Sequence, residues 1–79
     1  MMTFEELYSD HFDDVFRFAL WLCRDREDAE DLASETFVAA WSRRHGLRTE
    51  TLRAYLLAVT RNLFLKNRRR RGEHTDLSE

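Results

Sequence analysis

The sequence predicts an all-α protein, a compact three-helix bundle, and three observations support this prediction. The 79 residues include no proline and only two glycines, whereas an all-β fold needs many turn-forming residues. Charged and alanine-rich stretches run without helix breakers. Apolar residues recur at spacings of three and four, which is the period of an amphipathic helix. A chain this short forms one domain with a small core, so we expect a domain over residues 1–72 and a disordered polar tail over residues 73–79.

The first helix is predicted over residues 4–23. Thr3 and Glu6 form a capping-box pattern, in which a hydroxyl and a carboxylate bind the first free backbone amides. Cys23 lies in an apolar stretch and is interpreted as a small core residue, and because it is the only cysteine, it excludes an internal disulfide. The apolar side of the helix consists of Phe4, Leu7, Tyr8, Phe12, Val15, Phe16, Ala19, Leu22 and Cys23.

The second helix is predicted over residues 26–44. Asp25 is a good N-cap, and acidic residues crowd the first turns, where the positive end of a helix favours them. One apolar line should be buried: Ala29, Leu32, Ala33, Phe37, Ala40 and Trp41. The opposite line should face outward: Glu27, Asp31, Ser34, Glu35, Val38 and Ser42.

The third helix is predicted over residues 50–71, after a loop at residues 45–49. Gly46 can take the left-handed conformation that often follows a helix. Four arginines end the third helix, and Gly72 stops it. Across the second and third helices, the positions with the strongest expectation of burial are Leu32, Phe37, Tyr55, Leu56 and Val59.

No pattern in the chain indicates catalysis or a bound cofactor. The acidic cluster at residues 25–31 lacks the ligand spacing and central glycine of a calcium loop. His11, His45 and His74 lie far apart, and neither a glycine-rich phosphate loop nor a nucleophile constellation is present. We therefore expect no enzyme, no metal site and no cofactor. The acidic start does not resemble a signal peptide, and no apolar run is long enough to span a bilayer, so we expect a cytoplasmic protein without membrane insertion.

The charge is segregated along the chain. Residues 1–35 carry eleven acidic and three basic side chains, whereas residues 36–79 carry ten basic and four acidic ones. One or two bases suffice to complement the negative end of a helix, so Arg68–Arg71, following Arg61 and Lys66, indicate contact with nucleic acid. Alternatively, the two halves simply attract one another across the bundle, and the arginines are only solubilising.

Residues 28–37 read DAEDLASETF and are followed by Trp41. This stretch is similar to the region-two signature of bacterial RNA polymerase sigma factors, most closely the extracytoplasmic-function group. Residues 54–62, AYLLAVTRN, followed by the arginine run, resemble the promoter-binding helix of that domain. Residues 4–8 with 15–19 fit its first helix. The resemblance covers about residues 4–71, in the right order and spacing.

This resemblance implies two binding surfaces. In the family, the exposed side of the second helix docks on the clamp helices of the polymerase β′ subunit, and here that side carries Asp31, Ser34, Glu35 and Val38. The third helix and the loop before it bind the −10 promoter element and hold its non-template strand unpaired. The matching positions here are His45, Arg48, Arg61, Asn62, Lys66, Arg68, Arg69, Arg70 and Arg71. An anti-sigma factor is a further partner that the resemblance implies.

The sequence departs from the family pattern at three positions and in length. Ser34 replaces a common glutamine, Tyr55 replaces a common tryptophan, and Lys66 replaces a common acidic residue, which should raise non-specific affinity for DNA. Sigma factors normally carry a second helical domain, region four, which is not encoded here. We favour an excised domain over a naturally reduced family member.

Two readings other than a sigma factor domain stay open. One is a small helical protein-interaction module whose acidic helix binds a basic partner and which does not bind DNA. The other is a homodimeric bundle that uses Trp21, Trp41 or Phe64 as its contact.

Overall fold

Within residues 2–78, three helices and two short 3-10 turns make up the fold, and the predicted all-α three-helix bundle is confirmed. The computed structural model describes residues 2–78, with side chains described for residues 2–69. Helix α1 spans Phe4–Cys23, α2 spans Arg26–Ser42 and α3 spans Leu52–Ser78, and each helix packs against the other two. Helix α3 continues to Ser78, so the predicted helix end near Arg71 and the predicted stop at Gly72 were wrong. The side chains of the predicted polar tail, residues 73–79, lie outside the described residues.

Local capping explains where α1 and α2 begin. The Glu6 N–H donates to Thr3 Oγ1 at 3.1 Å, and the Thr3 N–H donates back to Glu6 Oε1 at 2.9 Å. The bond from the Thr3 N–H, together with one that Thr3 Oγ1 donates to Glu6 Oε1 at 3.3 Å, stabilises the charged carboxylate and lowers the pKa of Glu6. At the start of α2, the Asp28 N–H donates to Asp25 Oδ2 at 3.2 Å. The predicted capping box and the predicted Asp25 cap are both confirmed.

Arg24, and not Gly46, takes the left-handed backbone conformation at the end of a helix, so the prediction of that conformation for Gly46 was wrong. Arg24 ends α1 with a φ of 57°, and its N–H donates to the Leu20 carbonyl at 2.8 Å. Gly46 instead closes a 3-10 turn, Arg44–Gly46, and has no positive φ. The Gly46 N–H donates to the Arg43 carbonyl at 3.1 Å, so backbone at the end of α2 is satisfied without a left-handed residue. A second 3-10 turn, Thr49–Thr51, leads into α3.

The core consists of two adjacent clusters. The larger contains Leu7, Val15, Ala33, Phe37, Ala40, Leu52 and Leu56, and the smaller contains Ala19, Ala29 and Leu32. Of the five residues expected to be buried, Leu32, Phe37 and Leu56 are buried, whereas Tyr55 and Val59 are half-buried. Tyr55 packs against the larger cluster from its edge, which leaves part of the ring in solvent.

A buried polar pair links α2 to α3 inside this core. Thr36 Oγ1 and Thr60 Oγ1 lie 3.1 Å apart, and both residues are fully buried. Thr36 Oγ1 also lies 2.9 Å from the Leu32 carbonyl, and Thr60 Oγ1 lies 2.8 Å from the Leu56 carbonyl. Each hydroxyl has one proton to donate and can also accept. The two protons therefore form two hydrogen bonds at a time among the three contacts, and each hydroxyl takes part in at least one. Neither hydroxyl is left unsatisfied, which is the condition for burying one without a large penalty.

Across the described part of the chain, every helix is too short or too polar to traverse a lipid bilayer.

Candidate functional site

The outward face of α2 carries the four residues that the resemblance assigns to polymerase binding. Asp31, Ser34, Glu35 and Val38, which we call the α2 surface, are all exposed. Their spacing of three and four residues places them on one side of the helix, opposite the buried Leu32 and Phe37. Val38 is 65% exposed, so an apolar side chain stands in solvent among polar neighbours. The combination of an apolar residue with two carboxylates suits a basic protein partner.

The outward face of α3 carries a group of cations beside an amide. Arg61, Asn62, Lys66, Arg68 and Arg69, which we call the α3 surface, are all exposed, whereas Arg70 and Arg71 lie outside the described side chains. Among residues 2–69, none of these cations forms an ion pair. The buried face of the same helix holds Leu52, Leu56 and Thr60, which fixes the opposite face toward solvent. Cations without a carboxylate partner are available to neutralise phosphates.

The segment between α2 and α3 forms the rim of a small cavity. His45 and Arg48 are exposed, as a role in binding requires. A cavity of about 160 Å³ lies beside them and is lined by Met2, Leu7, Trp41, Arg44, His45 and Leu47. The guanidinium carbon of Arg44 lies 4.4 Å from the centre of the Trp41 ring, and Arg44 Nη1 donates to the Trp41 carbonyl at 3.0 Å. An aromatic ring, a cation and an imidazole therefore line this cavity together with Met2, Leu7 and Leu47.

Arg44 was not among the predicted binding residues. The sequence contains the signal that could have identified it, since Arg44 follows Trp41 by three residues, the spacing of neighbours on a helix.

A larger groove connects the α2 surface to α3. Its volume is about 650 Å³, and its apolar floor contains Leu22, Leu32 and Phe64. Asp28, Asp31 and Glu35 line the α2 side, and Asn67 and Arg68 line the α3 side. The groove therefore brings two predicted polymerase-binding residues close to a predicted DNA-binding residue.

Asn67 is a residue that sequence reasoning missed. Its Nδ2 donates a hydrogen bond to Glu35 Oε1 at 3.1 Å, across the groove. Asn67 follows Thr60 by seven residues, so it shares the inward side of α3, and that spacing was the available signal. A second contact between helices, from Arg53 Nε to Asp14 Oδ2 at 2.9 Å, joins α3 to α1.

The acidic residues around Asp25 do not converge on one point. Among the side chains that the structure describes, no group of three or more histidine, cysteine, aspartate or glutamate residues is placed to hold a metal ion.

Comparison with known proteins gives the same family as the sequence resemblance. The profile of the family described as Sigma-70 region 2 matches residues 7–74. The chain is 33% identical over 78 residues, 99% of its length, to the ECF RNA polymerase sigma factor SigM of Bacillus subtilis. It is 39% identical over 72 residues, 91% of its length, to the ECF RNA polymerase sigma factor SigE of Mycolicibacterium smegmatis. It is 37% identical over 65 residues, 80% of its length, to the ECF RNA polymerase sigma factor SigL of Mycobacterium tuberculosis.

The chain spans only part of each of these relatives, 48% of SigM, 28% of SigE and 37% of SigL. No solved structure matches the chain. The matches confirm the resemblance to region two of the extracytoplasmic-function sigma factors.

Proposed function

The chain belongs to the sigma-70 region 2 family, and from that membership we propose that it acts in transcription initiation as a sigma factor domain. In this proposal it binds the β′ clamp helices of core RNA polymerase and recognises and melts the −10 element of the promoter. The observation that carries the proposal is the presence of two surfaces of different chemistry on one small bundle. The α2 surface is acidic and apolar, and the cations of the α3 surface form no ion pair among residues 2–69.

Polymerase binding is assigned to the α2 surface. Asp31 and Glu35 would face basic side chains of the clamp helices. Val38 would make an apolar contact with the same helices. Opposite charges across an interface speed encounter and fix register, while a central apolar residue excludes water from the contact. The apolar floor of the neighbouring groove, at Leu22 and Phe64, extends the surface available to a helical partner.

DNA binding is assigned to the α3 surface together with Arg70 and Arg71. Arginine and lysine side chains neutralise phosphates without selecting a base, so these cations position the strand. Asn62 differs from them because its amide both donates and accepts, which allows it to distinguish base edges. Lys66 adds a charge that strengthens contact with any sequence.

Melting follows from preferential binding of the unpaired strand. A protein that binds the single strand more tightly than the duplex shifts the equilibrium toward the open form. His45, Arg48 and the cavity beside Trp41 are proposed to receive one unstacked base, since aromatic rings and cations commonly hold unpaired bases. An anti-sigma factor is proposed as a further partner on the family resemblance alone, and no catalytic role is proposed.

The test measures binding of labelled single strands to the chain, with and without an isolated β′ clamp fragment. A −10-like strand is compared with a scrambled strand of the same composition at several salt concentrations. We expect tighter binding of the −10-like strand and a steep loss of affinity as salt rises, as counterion release requires. Binding of the clamp fragment without any DNA binding, even at low salt, would replace the proposal with the protein-interaction module.

A further inference from the structure

The groove between α2 and α3 has the size and the lining of a small-molecule site. Its volume of about 650 Å³ lies within the roughly 300–1,000 Å³ that is typical of such sites. Leu22, Leu32 and Phe64 give it an apolar floor, and its lining includes residues of all three helices. The cavity beside Trp41 is only about 160 Å³, which is below that range.

The charge of the lining is predominantly negative. Asp28, Asp31 and Glu35 line the groove from α2, and their spacings of three and four residues place them along one edge of that helix. They extend over about 10 Å of helix. The facing side, on α3, contributes Asn67 and a single base, Arg68. Three acids against one base make the groove attractive to a cation.

The carboxylates suit an organic cation better than a metal ion. Within residues 2–69 they are not placed as a group that could hold a metal ion. Asp31 is exposed and forms no ion pair in the same part of the chain. Glu35 accepts from Asn67 at Oε1, and a carboxylate has acceptor sites on both oxygens. A planar amidinium or guanidinium group can donate two parallel hydrogen bonds to one carboxylate.

The dimensions of the groove favour a small molecule over a helix as its occupant. An α-helix with its side chains is about 10 Å across, so even a 10 Å length of it fills about 800 Å³. A helix can therefore lie across the groove but not within it. A small molecule with an apolar body can enter and cover the floor, which releases water from Leu22 and Phe64.

We propose that this groove binds an amphipathic organic cation, a small molecule that joins an amidinium or guanidinium head to an aromatic body. The head pairs with Asp31 and Glu35, and the body packs on Leu22 and on the ring of Phe64, where aromatic pairs gain beyond their buried area. The site belongs to the free chain, so it does not depend on the proposed binding of polymerase or DNA. Asp31 and Glu35 are part of the α2 surface, so an occupied groove would oppose a partner on that surface.

The first test uses the chain alone and two probes that differ in charge. Biphenyl-4-carboxamidine is the cation, and biphenyl-4-carboxamide is its neutral counterpart of the same shape. For a ligand of about fifteen non-hydrogen atoms we expect a Kd of about 0.1–1 mM for the amidine, and much weaker binding of the amide. Titration followed by two-dimensional amide NMR measures both. Equal affinities for the two probes would overturn the proposal.

The same spectra locate the bound probe. The backbone amides of Leu22, Leu32 and Phe64 should shift as the amidine is added, whereas that of Leu47, beside the smaller cavity, should not. Nuclear Overhauser effects should connect the biphenyl protons with the side chains of Leu22 and Phe64. Shifts confined to another face of the bundle would contradict the assignment of the groove.

Two substitutions with opposite expected effects test the role of charge. D31N should weaken the amidine by about threefold to tenfold, because it removes a charged acceptor. R68A removes the base from the lining and should strengthen the amidine by about twofold. D13N is the matched control, since it removes the same charge at an exposed position of α1 outside the groove. With the fold checked by circular dichroism, equal losses in D31N and D13N, or a weaker amidine in R68A, overturn the proposal.

Dilution distinguishes the small molecule from a second copy of the chain. Without a probe, the amide shifts of Leu22 and Phe64 should be the same at about 50 μM and at about 1 mM protein. Shifts that change with protein concentration, and that the amidine reverses, would show that another copy occupies the groove, and the proposal would fail.

Discussion

Asn67 Nδ2 donates a hydrogen bond to Glu35 Oε1 at 3.1 Å, which ties the α2 surface to the helix that carries the α3 surface. The bond crosses the groove whose floor contains Leu32 and Phe64. Glu35 is exposed, so in the free chain its carboxylate is held by the bundle and also open to a partner. A partner that binds Glu35 must therefore compete with Asn67 for Oε1 or donate to the second carboxylate oxygen, Oε2.

Removal of this bond should affect clamp binding more than folding. N67A is expected to lower the free energy of unfolding by only about 0.5–1 kcal/mol, because exposed hydrogen bonds contribute little net stability. Affinity for the β′ clamp fragment should stay equal or rise, because the Glu35 carboxylate no longer has to give up its hydrogen bond with Asn67 when the fragment binds. Calorimetric titration of both proteins with the fragment measures this, and a tenfold weaker N67A would contradict the expectation.

Charge reversal on the α2 surface should abolish the attraction to the clamp. D31R and E35R each place a cation where the proposal puts a basic partner, and like charges at an interface cost more than a lost contact. We expect at least a tenfold loss of affinity for the clamp fragment, with an unchanged melting temperature for D31R. E35R also removes the hydrogen bond from Asn67, so its free energy of unfolding should fall by roughly the same 0.5–1 kcal/mol as that of N67A. D10R is the control, because it makes the same change of net charge at an exposed position of α1. Equal binding by all three variants would show that the clamp docks elsewhere.

Truncation of the central aromatic residue should remove much of the stability of the bundle. Phe37 is fully buried in the larger core cluster, where its ring lies 5.0 Å from that of Tyr8. F37A is expected to lower the free energy of unfolding by about 3–5 kcal/mol, because truncation leaves a cavity. Urea unfolding measures this. V38A, which truncates the exposed neighbour, should change stability by less than about 0.5 kcal/mol.

Local sequence signals predicted much of the fold. The period of apolar residues located three helices, and the chemistry of Thr3, Glu6 and Asp25 located two of their starts. The same period placed the α2 surface outward. These features depend on neighbours within a few residues, which is the range over which helix geometry is fixed.

Contacts between distant segments could not be predicted in the same way. The Thr36–Thr60 pair joins residues 24 positions apart, and the Asn67–Glu35 bond joins residues 32 positions apart. Such pairs depend on how the helices pack, which periodicity alone leaves undetermined. The left-handed conformation occurs at Arg24 and not at Gly46 for a similar reason. A glycine permits that conformation, but the path of the chain between helices decides where it is needed.

The arginines at the end of α3 should position DNA without selecting a sequence. R68A/R69A is expected to weaken binding of −10-like and scrambled single strands about equally, and to reduce the slope of affinity against salt by roughly one to two. R24A/R26A removes the same charge from the turn between α1 and α2 and should leave the slope nearly unchanged. Titrations by fluorescence anisotropy at four salt concentrations supply these slopes. Identical slopes for both double variants and the wild type would remove α3 from the DNA-binding surface.

Asn62 should distinguish one strand sequence from another. Its side chain is exposed on the same face of α3 as Lys66, where an amide can donate to one base atom and accept from another. N62A is expected to lose affinity for the −10-like strand while keeping its affinity for the scrambled strand. N67A is the matched control, because it removes the same amide from the inward side of the same helix, where Asn67 is already bonded to Glu35. An equal loss on both strands, with unfolding unchanged, would mean that Asn62 positions the strand and does not read it.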